Sequence, residues 1–234
     1  MTLQLYEITL IGTLPYRYQL TEANAAITLI EARHFGAKFL GPISYSYSGY
    51  YFNKDWLNKN EDTALRFIGT LYRVADVLSG PDTDKALEIM RVHLNKASNS
   101  NFTLKQAHDI NTNINPWFTM EQAKKILFTP GEKTYWNDRL KWIINCNIEK
   151  GNLKEGDVIV ENHSQGEYLF SKLWGYKTKC EKDMITIAKA YNENKVKNKN
   201  KIRSLIEQAN LNWLIRNYID AAKLANEAKI LINL

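Results

Sequence analysis

Residues 24–40, with the sequence NAAITLIEARHFGAKFL, hold two short apolar runs on either side of a helical turn. Residues 24–28 and 38–40 are typical of short strands, because β-branched and aromatic side chains suit a half-buried sheet. Residues 31–35 favour a helical turn, and Gly36 stands where such a turn ends. Alternation of strand, helix and strand predicts a parallel sheet.

Two flanking segments extend this prediction. Residues 3–11 alternate apolar and polar side chains, which is the pattern of a strand with one buried face. Residues 41–53 are rich in Ser and Tyr, and we interpret them as a crossover between two lobes that ends in a strand at 50–52. The predicted fold class is therefore α/β, with a small, partly parallel sheet followed by many helices and a helical tail.

The chain beyond residue 53 has the apolar periodicity of helices. Thr103 and Thr119 each begin a Thr-x-x-Gln capping box, and Asn60 and Asp82 are candidate N-caps. Gly151 is expected just past the end of a helix over 133–149. The side chains expected to face inward share helical spacing within two segments: Ala64, Phe67, Ile68, Leu71, Ala75 and Leu78 in the first, and Ala86, Ile89, Met90 and Leu94 in the second.

Charge is distributed unevenly along the chain. The net charge is +6, yet residues 171–234 hold 13 Lys and Arg against 6 Asp and Glu. We predict three segments: a partial α/β lobe over 1–45, a mainly helical returning lobe over 46–168, and a basic helical hairpin tail over 169–234. Within the tail, the Lys-rich segment 195–203 has the charge to contact nucleic acid or an anionic membrane face. Because it lacks interleaved aromatics, we favour a solvated helix end and expect no nucleic-acid binding.

The order of segments from residue 20 to residue 158 resembles the solute-binding proteins of ABC transporters, of the nitrate, sulfonate, taurine and thiamine-pyrimidine type. Residues 20–28 are similar to that family's L-x-x-G-x-V-D-A strand entry, and GAKFL at 36–40 to its G-A-x-x-L strand. NEDTALRF at 60–67 resembles its p-e-x-v-x-x-F helix. Residues 135–158, which contain EKGNLK, resemble its late helix and G-x-I-K turn. The resemblance implies the C-terminal part of a type 2 periplasmic binding protein fold.

Several positions depart from this family's pattern. Glu22 and Asn24 stand where the family has Gly and Asp, and no Pro follows Glu31. By the resemblance, the chain also begins inside the second lobe and lacks the usual N-terminal half. Because a sheet cut in this way has exposed edges, there are three alternatives: the chain is a fragment, a second chain completes the sheet, or the tail covers the gap.

The resemblance implies a cleft that holds a small anion or zwitterion through amides, hydroxyls and aromatic walls. It places Thr28 and Glu31 after a solute-facing strand, and Ser44, Tyr45 and Ser46 at the crossover. These five residues are the candidate ligand-binding residues. The alternative interpretation of the crossover is a polar surface loop with ordinary tyrosines.

Catalysis, metal binding and cofactor binding are not expected. The sequence has no G-x-S-x-G, P-loop, G-x-G-x-x-G or H-E-x-x-H motif. Cys146 and Cys180 are too far apart in the chain for a C-x-x-C zinc site. The histidines share no i,i+4 spacing with one another, and they are His34, His93, His108 and His163. We therefore expect a binding protein that is not an enzyme.

Two functions remain open at this stage. The first is a solute-binding protein, or part of one, for an ABC importer of small anionic, sulfonate-like or pyrimidine-like solutes, with the permease or a second chain as partner. The second is a protein–protein interaction or regulatory module built on a degenerate binding fold. The resembled family is extracytoplasmic, but no signal peptide or membrane-spanning apolar stretch is visible, so as it stands the chain is expected in the cytoplasm.

Overall fold

The structure is a computed structural model that describes residues 50–114, 117–158, 165–193 and 195–232, without the side chains of Asn113 and Ile114. Within these ranges every regular element is helical and no strand is present, so the predicted α/β fold class is wrong. The predicted strand at 50–52 is irregular backbone. Its aromatic side chains pack on helices instead, since Tyr50 contacts Phe67 edge-on and Phe52 stacks on Trp56. The other predicted strands lie outside the described residues.

The described residues form nine α-helices and one π-helical turn. In chain order they are α1 (Lys54–Lys59), α2 (Glu61–Leu78), α3 (Thr83–Ser98), α4 (Leu104–Asp109) with a π-helical turn (Ile110–Ile114), α5 (Met120–Leu127), α6 (Trp136–Glu149), α7 (Gln165–Asn192), α8 (Lys199–Leu214) and α9 (Tyr218–Ile232). Among these, α7 is the longest, and it contacts α2, α8 and α9.

Local signals at the helix ends are mostly confirmed. Thr103 and Thr119 each accept a hydrogen bond from the backbone amide three residues on, and the Gln there bonds back, so both capping boxes are present. Gly151 follows α6 with φ of +72°, as its role beyond a C-cap requires. Asn60 and Asp82 occupy N-cap positions, but neither side chain caps its helix.

The predicted inward faces are only partly correct. Helix α2 buries Ala64, Ala75 and Leu78 as expected, whereas Phe67 is 41% exposed. In α3 the prediction fails, because Ile89 is 64% exposed and Leu87 is the buried residue. Helix α3 contacts only α2 and α4 closely, so one narrow stripe of its surface is covered.

The predicted tail hairpin is instead a set of three helices, α7, α8 and α9. The second predicted arm is interrupted by a turn after Leu214, and α9 packs against both α7 and α8. Small side chains at these contacts are fully buried and allow close approach of the helices, notably Ala209, Ala221, Ala225 and Ala228.

One apolar core joins these three helices to the segments before them. Leu65 of α2, Met120 of α5, Phe170 of α7 and Tyr218 of α9 belong to the same buried cluster. The predicted boundary at residue 169 falls within α7. The chain turn between α8 and α9 is therefore held against α2, and this contact positions the candidate site.

Candidate interaction surface

The turn between α8 and α9 is built by a compact set of backbone and side-chain hydrogen bonds. Arg216 adopts the left-handed conformation, with φ of 63°, and its amide donates to the Trp213 carbonyl at 3.0 Å. The Asn217 amide donates to the Asn212 carbonyl at 2.9 Å. The Asn217 side-chain NH₂ donates to Asn212 Oδ1 and Asp220 Oδ2, both at 2.7 Å. A non-glycine residue at positive φ strains the backbone of this turn. The hydrogen bonds of the polar side chains therefore stabilise the turn in this conformation.

Helix α2 holds this turn from one side. Arg66 Nη1 and Nη2 donate to the two carboxylate oxygens of Asp220 at 2.8 and 2.9 Å, and Nη1 also donates to Asn217 Oδ1. Arg216 Nε donates to Asp76 Oδ2 at 2.5 Å. These contacts use planar guanidinium groups, whose fixed donor geometry makes them strong positioning groups.

A cationic and aromatic layer lies beneath the turn. The Trp213 and Tyr218 rings meet edge-on with centroids 6.1 Å apart, and the Arg216 guanidinium carbon lies 5.0 Å from the Trp213 ring centroid. Burial raises the pKa of Tyr218 above its usual range. Among the described residues, no hydrogen-bond acceptor is within reach of the Trp213 indole N–H. Tyr218 is fully buried and Trp213 and Arg216 are half-buried, so the layer is shielded from much of the solvent.

Lys177 of α7 extends this layer. Its Nζ lies 2.7 Å from Glu181 Oε1 and 3.4 Å from Glu121 Oε1. The same nitrogen lies 4.8 Å from the Trp174 ring centroid and 5.6 Å from that of Trp213. Because Lys177 is buried and already paired with carboxylates and indoles, we assign it a structural role in supporting the turn.

Exposed apolar side chains lie on α8 where it enters this turn. Leu211 is 64% exposed, Leu214 63% and Ile215 45%. Their i, i+3, i+4 spacing places them on one side of the helix. The buried side of α8 carries Ile202, Leu205 and Ala209, which a rotation of about 100° per residue puts opposite to Leu211. We call Leu211, Leu214 and Ile215 the α8-end surface.

A groove lies between α3 and α4. Its volume is about 220 Å³, and its walls include Leu87, Met90, Leu94, Phe102 and Trp117. At its edge the guanidinium of Arg91 donates to Glu88 and to the Phe102 carbonyl. The groove is large enough for one large side chain. The Arg91 guanidinium at its edge, however, is already paired within the chain.

Of the candidate metal ligands named from the sequence, those within the described residues are dispersed. No group of three or more His, Cys, Asp or Glu side chains in these ranges could hold a metal ion. His108 lies 3.9 Å from Asp84, and both side chains are exposed. His34 and His163 lie outside the described residues.

The five candidate ligand-binding residues lie outside the described residues, and their role stays a prediction; they are Thr28, Glu31, Ser44, Tyr45 and Ser46. Sequence reasoning missed the α8-end surface. The sequence did indicate it, because α8 carries apolar residues on two opposite sides, and a helix with a single buried stripe requires them on one side only.

Comparisons with known proteins add no family. No family model matches the chain, and neither the curated proteins nor the solved structures include a significant match. In the described part of the chain, no helix has the length and apolar character needed to cross a membrane. The structure itself therefore defines the class, which over these residues is an all-helical protein with a core shared by α2, α5, α7 and α9.

Proposed function

We propose that the chain is a helical protein–protein interaction module and that the α8-end surface docks an apolar segment of a partner protein. The observation that carries this proposal is the cluster of Leu211, Leu214 and Ile215 on the side of α8 opposite its buried side. Single exposed apolar residues are ordinary on protein surfaces, but clustered ones mark docking sites.

The surroundings of this surface support the proposal. Two ion pairs with α2 hold the adjoining turn in one geometry. Arg66 of α2 pairs with Asp220, and Asp76 of α2 pairs with Arg216. A preordered surface loses little conformational entropy when a partner docks. Trp213 and Arg216 lie next to the apolar residues, and these two residue types contribute strongly to protein interfaces.

The solute-binding interpretation is not favoured by any contact among the described residues. The sheet on which it depended is absent from them. It stays testable, because a solute that binds the native state raises the melting temperature. A clear rise with taurine, nitrate or a pyrimidine would favour that function over the interaction module.

The direct test uses a photo-crosslinking amino acid at position 214, with position 227 on α9 as a matched exposed control. We expect a discrete adduct from position 214 and none from 227 in extracts of the native host. Mass spectrometry then distinguishes a second copy of this chain from a different protein. Absence of an adduct at 214, or equal adducts at both positions, would contradict the proposal.

A variant series completes the test. Combined Leu211→Ser, Leu214→Ser and Ile215→Ser changes should reduce the adduct, now formed from a crosslinker at exposed position 210, by at least about tenfold. The melting temperature should change little, because these side chains are already largely exposed. Ile89→Ser with Val92→Ser, on the exposed side of α3, is the control and should leave the adduct intact.

A further inference from the structure

The end of the molecule formed by the last turn of α7 and the first turns of α8 is strongly basic. We call this the basic end, and it comprises Lys189, Lys195, Lys197, Lys199, Lys201 and Arg203, all of which are exposed. Residues 195–198, just before α8, pack on the fold: Val196 is buried, and the Tyr191 hydroxyl donates to the Lys199 carbonyl at 3.0 Å. The cations beside Val196 therefore lie close to the body of the fold.

The positive charge here is largely uncompensated. Glu193 lies 2.6 Å from Lys195, and it is the acidic residue that the sequence provides between 189 and 203. Within the described part of the chain, no ion pair involves Lys197, Lys199 or Lys201. The first turn of α8 contains no acidic residue, although the positive end of a helix dipole disfavours cations there. Helix stability thus does not explain why these lysines stand at this position.

The chemistry of the cluster favours one kind of anionic partner. Five of its six cations are Lys, whereas Arg is the preferred residue for bidentate recognition of nucleic-acid phosphates. The aromatic side chain nearest in sequence, Tyr191, is partly buried with its hydroxyl bonded to the chain, so it provides no exposed stacking platform for bases.

An exposed apolar side chain lies among the neighbouring cations. Ile185 of α7 is 57% exposed and follows Lys182 by three residues and precedes Lys189 by four, so the three share one side of the helix. The C-terminal end of α9 also lies at this end, since Ile232 packs against the cluster that contains Val196 and Ile202. A cationic surface with apolar side chains is the combination that binds the interface of an anionic bilayer.

We propose that the basic end docks the protein on an anionic phospholipid surface. Contact through Lys197, Lys199 and Lys201 leaves the α8-end surface at the other end of a helix about 24 Å long, where a partner protein can still reach it. This inference does not depend on the proposed interaction function, because it uses different residues at the opposite end of α8.

The test is cosedimentation of the full chain with vesicles of phosphatidylcholine alone or with about 30% phosphatidylserine, because the anionic lipid provides the surface potential. We expect binding only to the anionic vesicles, with a large loss between about 0.05 M and about 0.5 M salt as charges are screened. Combined Lys197→Glu, Lys199→Glu and Lys201→Glu changes should weaken binding at least about tenfold.

The control for net charge changes three exposed lysines elsewhere to Glu, namely Lys105, Lys133 and Lys141. It should retain most of the binding. The basic-end variant should not melt at a lower temperature, because acidic side chains in the first turn of α8 suit the helix dipole. No binding of the native chain to anionic vesicles, equal losses in both triple variants, or tighter binding to a duplex oligonucleotide would overturn the proposal.

Discussion

Arg66 on α2 and Asp220 on α9 form a bidentate ion pair although 154 positions separate them in the chain. Asp62 Oδ2 and Asn217 Oδ1 accept further hydrogen bonds from the Arg66 guanidinium. The pair ties α2, near the start of the described chain, to α9, its last described helix. The association of α2 with α9, and with it the geometry of the α8–α9 turn, therefore depends on an electrostatic contact that experiments can titrate.

Acid should weaken this contact. The hydrogen bonds from Arg66 outweigh the effect of burial and lower the pKa of Asp220 to about 2. Because the folded-state pKa lies below the usual value of about 3.9, the stabilisation is complete above that pH and is lost as the pH falls towards 2. Asp220→Asn should lower the free energy of unfolding by about 1–2 kcal/mol at neutral pH, and by much less near pH 2.

Urea unfolding of Asp220→Asn and the native protein between pH 7 and pH 2 measures this difference. Asp55→Asn, a change at an exposed carboxylate of α1, is the charge-matched control. A stability difference for Asp220→Asn that stayed constant over the whole pH range would show that the pair is not the source of its effect.

A glycine on α2 permits the close approach of the α8–α9 turn. A Cβ atom at Gly69 would lie 2.5 Å from the Arg216 carbonyl oxygen. Gly69→Ala should therefore reduce the free energy of unfolding by about 1–3 kcal/mol, despite the better helix propensity of Ala. Gly175→Ala on α7 meets no atom within 4 Å and should stabilise by roughly 0.5–1 kcal/mol. The melting temperature should fall for Gly69→Ala and rise for Gly175→Ala. Shifts in the same direction would contradict the close approach of Gly69 to Arg216.

The parts of the fold that sequence predicted are those set by neighbours in the chain. The capping boxes at Thr103 and Thr119 depend on residues three positions apart, and Gly151 depends on its own backbone conformation. Such signals are complete within one short segment, so tertiary contacts are not needed to recognise them.

The fold class and the candidate site depend on contacts that no short segment contains. The aromatic run at 50–52 has strand propensity, but Tyr50 and Phe52 pack on helix side chains of α1 and α2. Short apolar runs do not distinguish a strand from a segment that packs on helices. Likewise, nothing near Arg66 in sequence indicates Asp220, whereas the two-sided apolar pattern of α8 was readable and pointed to the α8-end surface.

Asp183 should be a sensitive position in the contact between α7 and α9. Its side chain is 5% exposed and lies 2.9 Å from Lys179 Nζ and 2.7 Å from Lys229 Nζ. Burial alone would raise the pKa of this carboxyl, but hydrogen bonds from Lys229 and Lys179 outweigh it and the pKa is lowered. Asp183→Asn removes the charge between two lysines and should cost about 2–4 kcal/mol in unfolding free energy.

The matched control for Asp183 is Glu227→Gln, a change of an exposed carboxylate on α9 that should cost less than about 0.5 kcal/mol. Lys229→Met in the Asp183→Asn background tests the coupling. Removal of the Lys229 charge should lower the free energy of unfolding less in that background than in the native protein, because the Asp183 carboxylate is already absent. Fully additive effects would show that the two side chains do not interact.

The two cysteines should differ sharply in reactivity, and the difference reports on the packing of α7. Cys180 is 2% exposed in the cluster with Ala209, Ala222 and Ala225, whereas Cys146 on α6 is partly exposed. Burial, with smaller effects from Glu181 and Asp183, raises the pKa of Cys180 to about 11, so little reactive thiolate forms near neutral pH. A thiol reagent at pH 8 should label Cys146 rapidly and label Cys180 only after denaturant is added. Cys146→Ser should remove the rapid phase alone, and rapid labelling of that variant would mean that α7 and α9 do not pack as described.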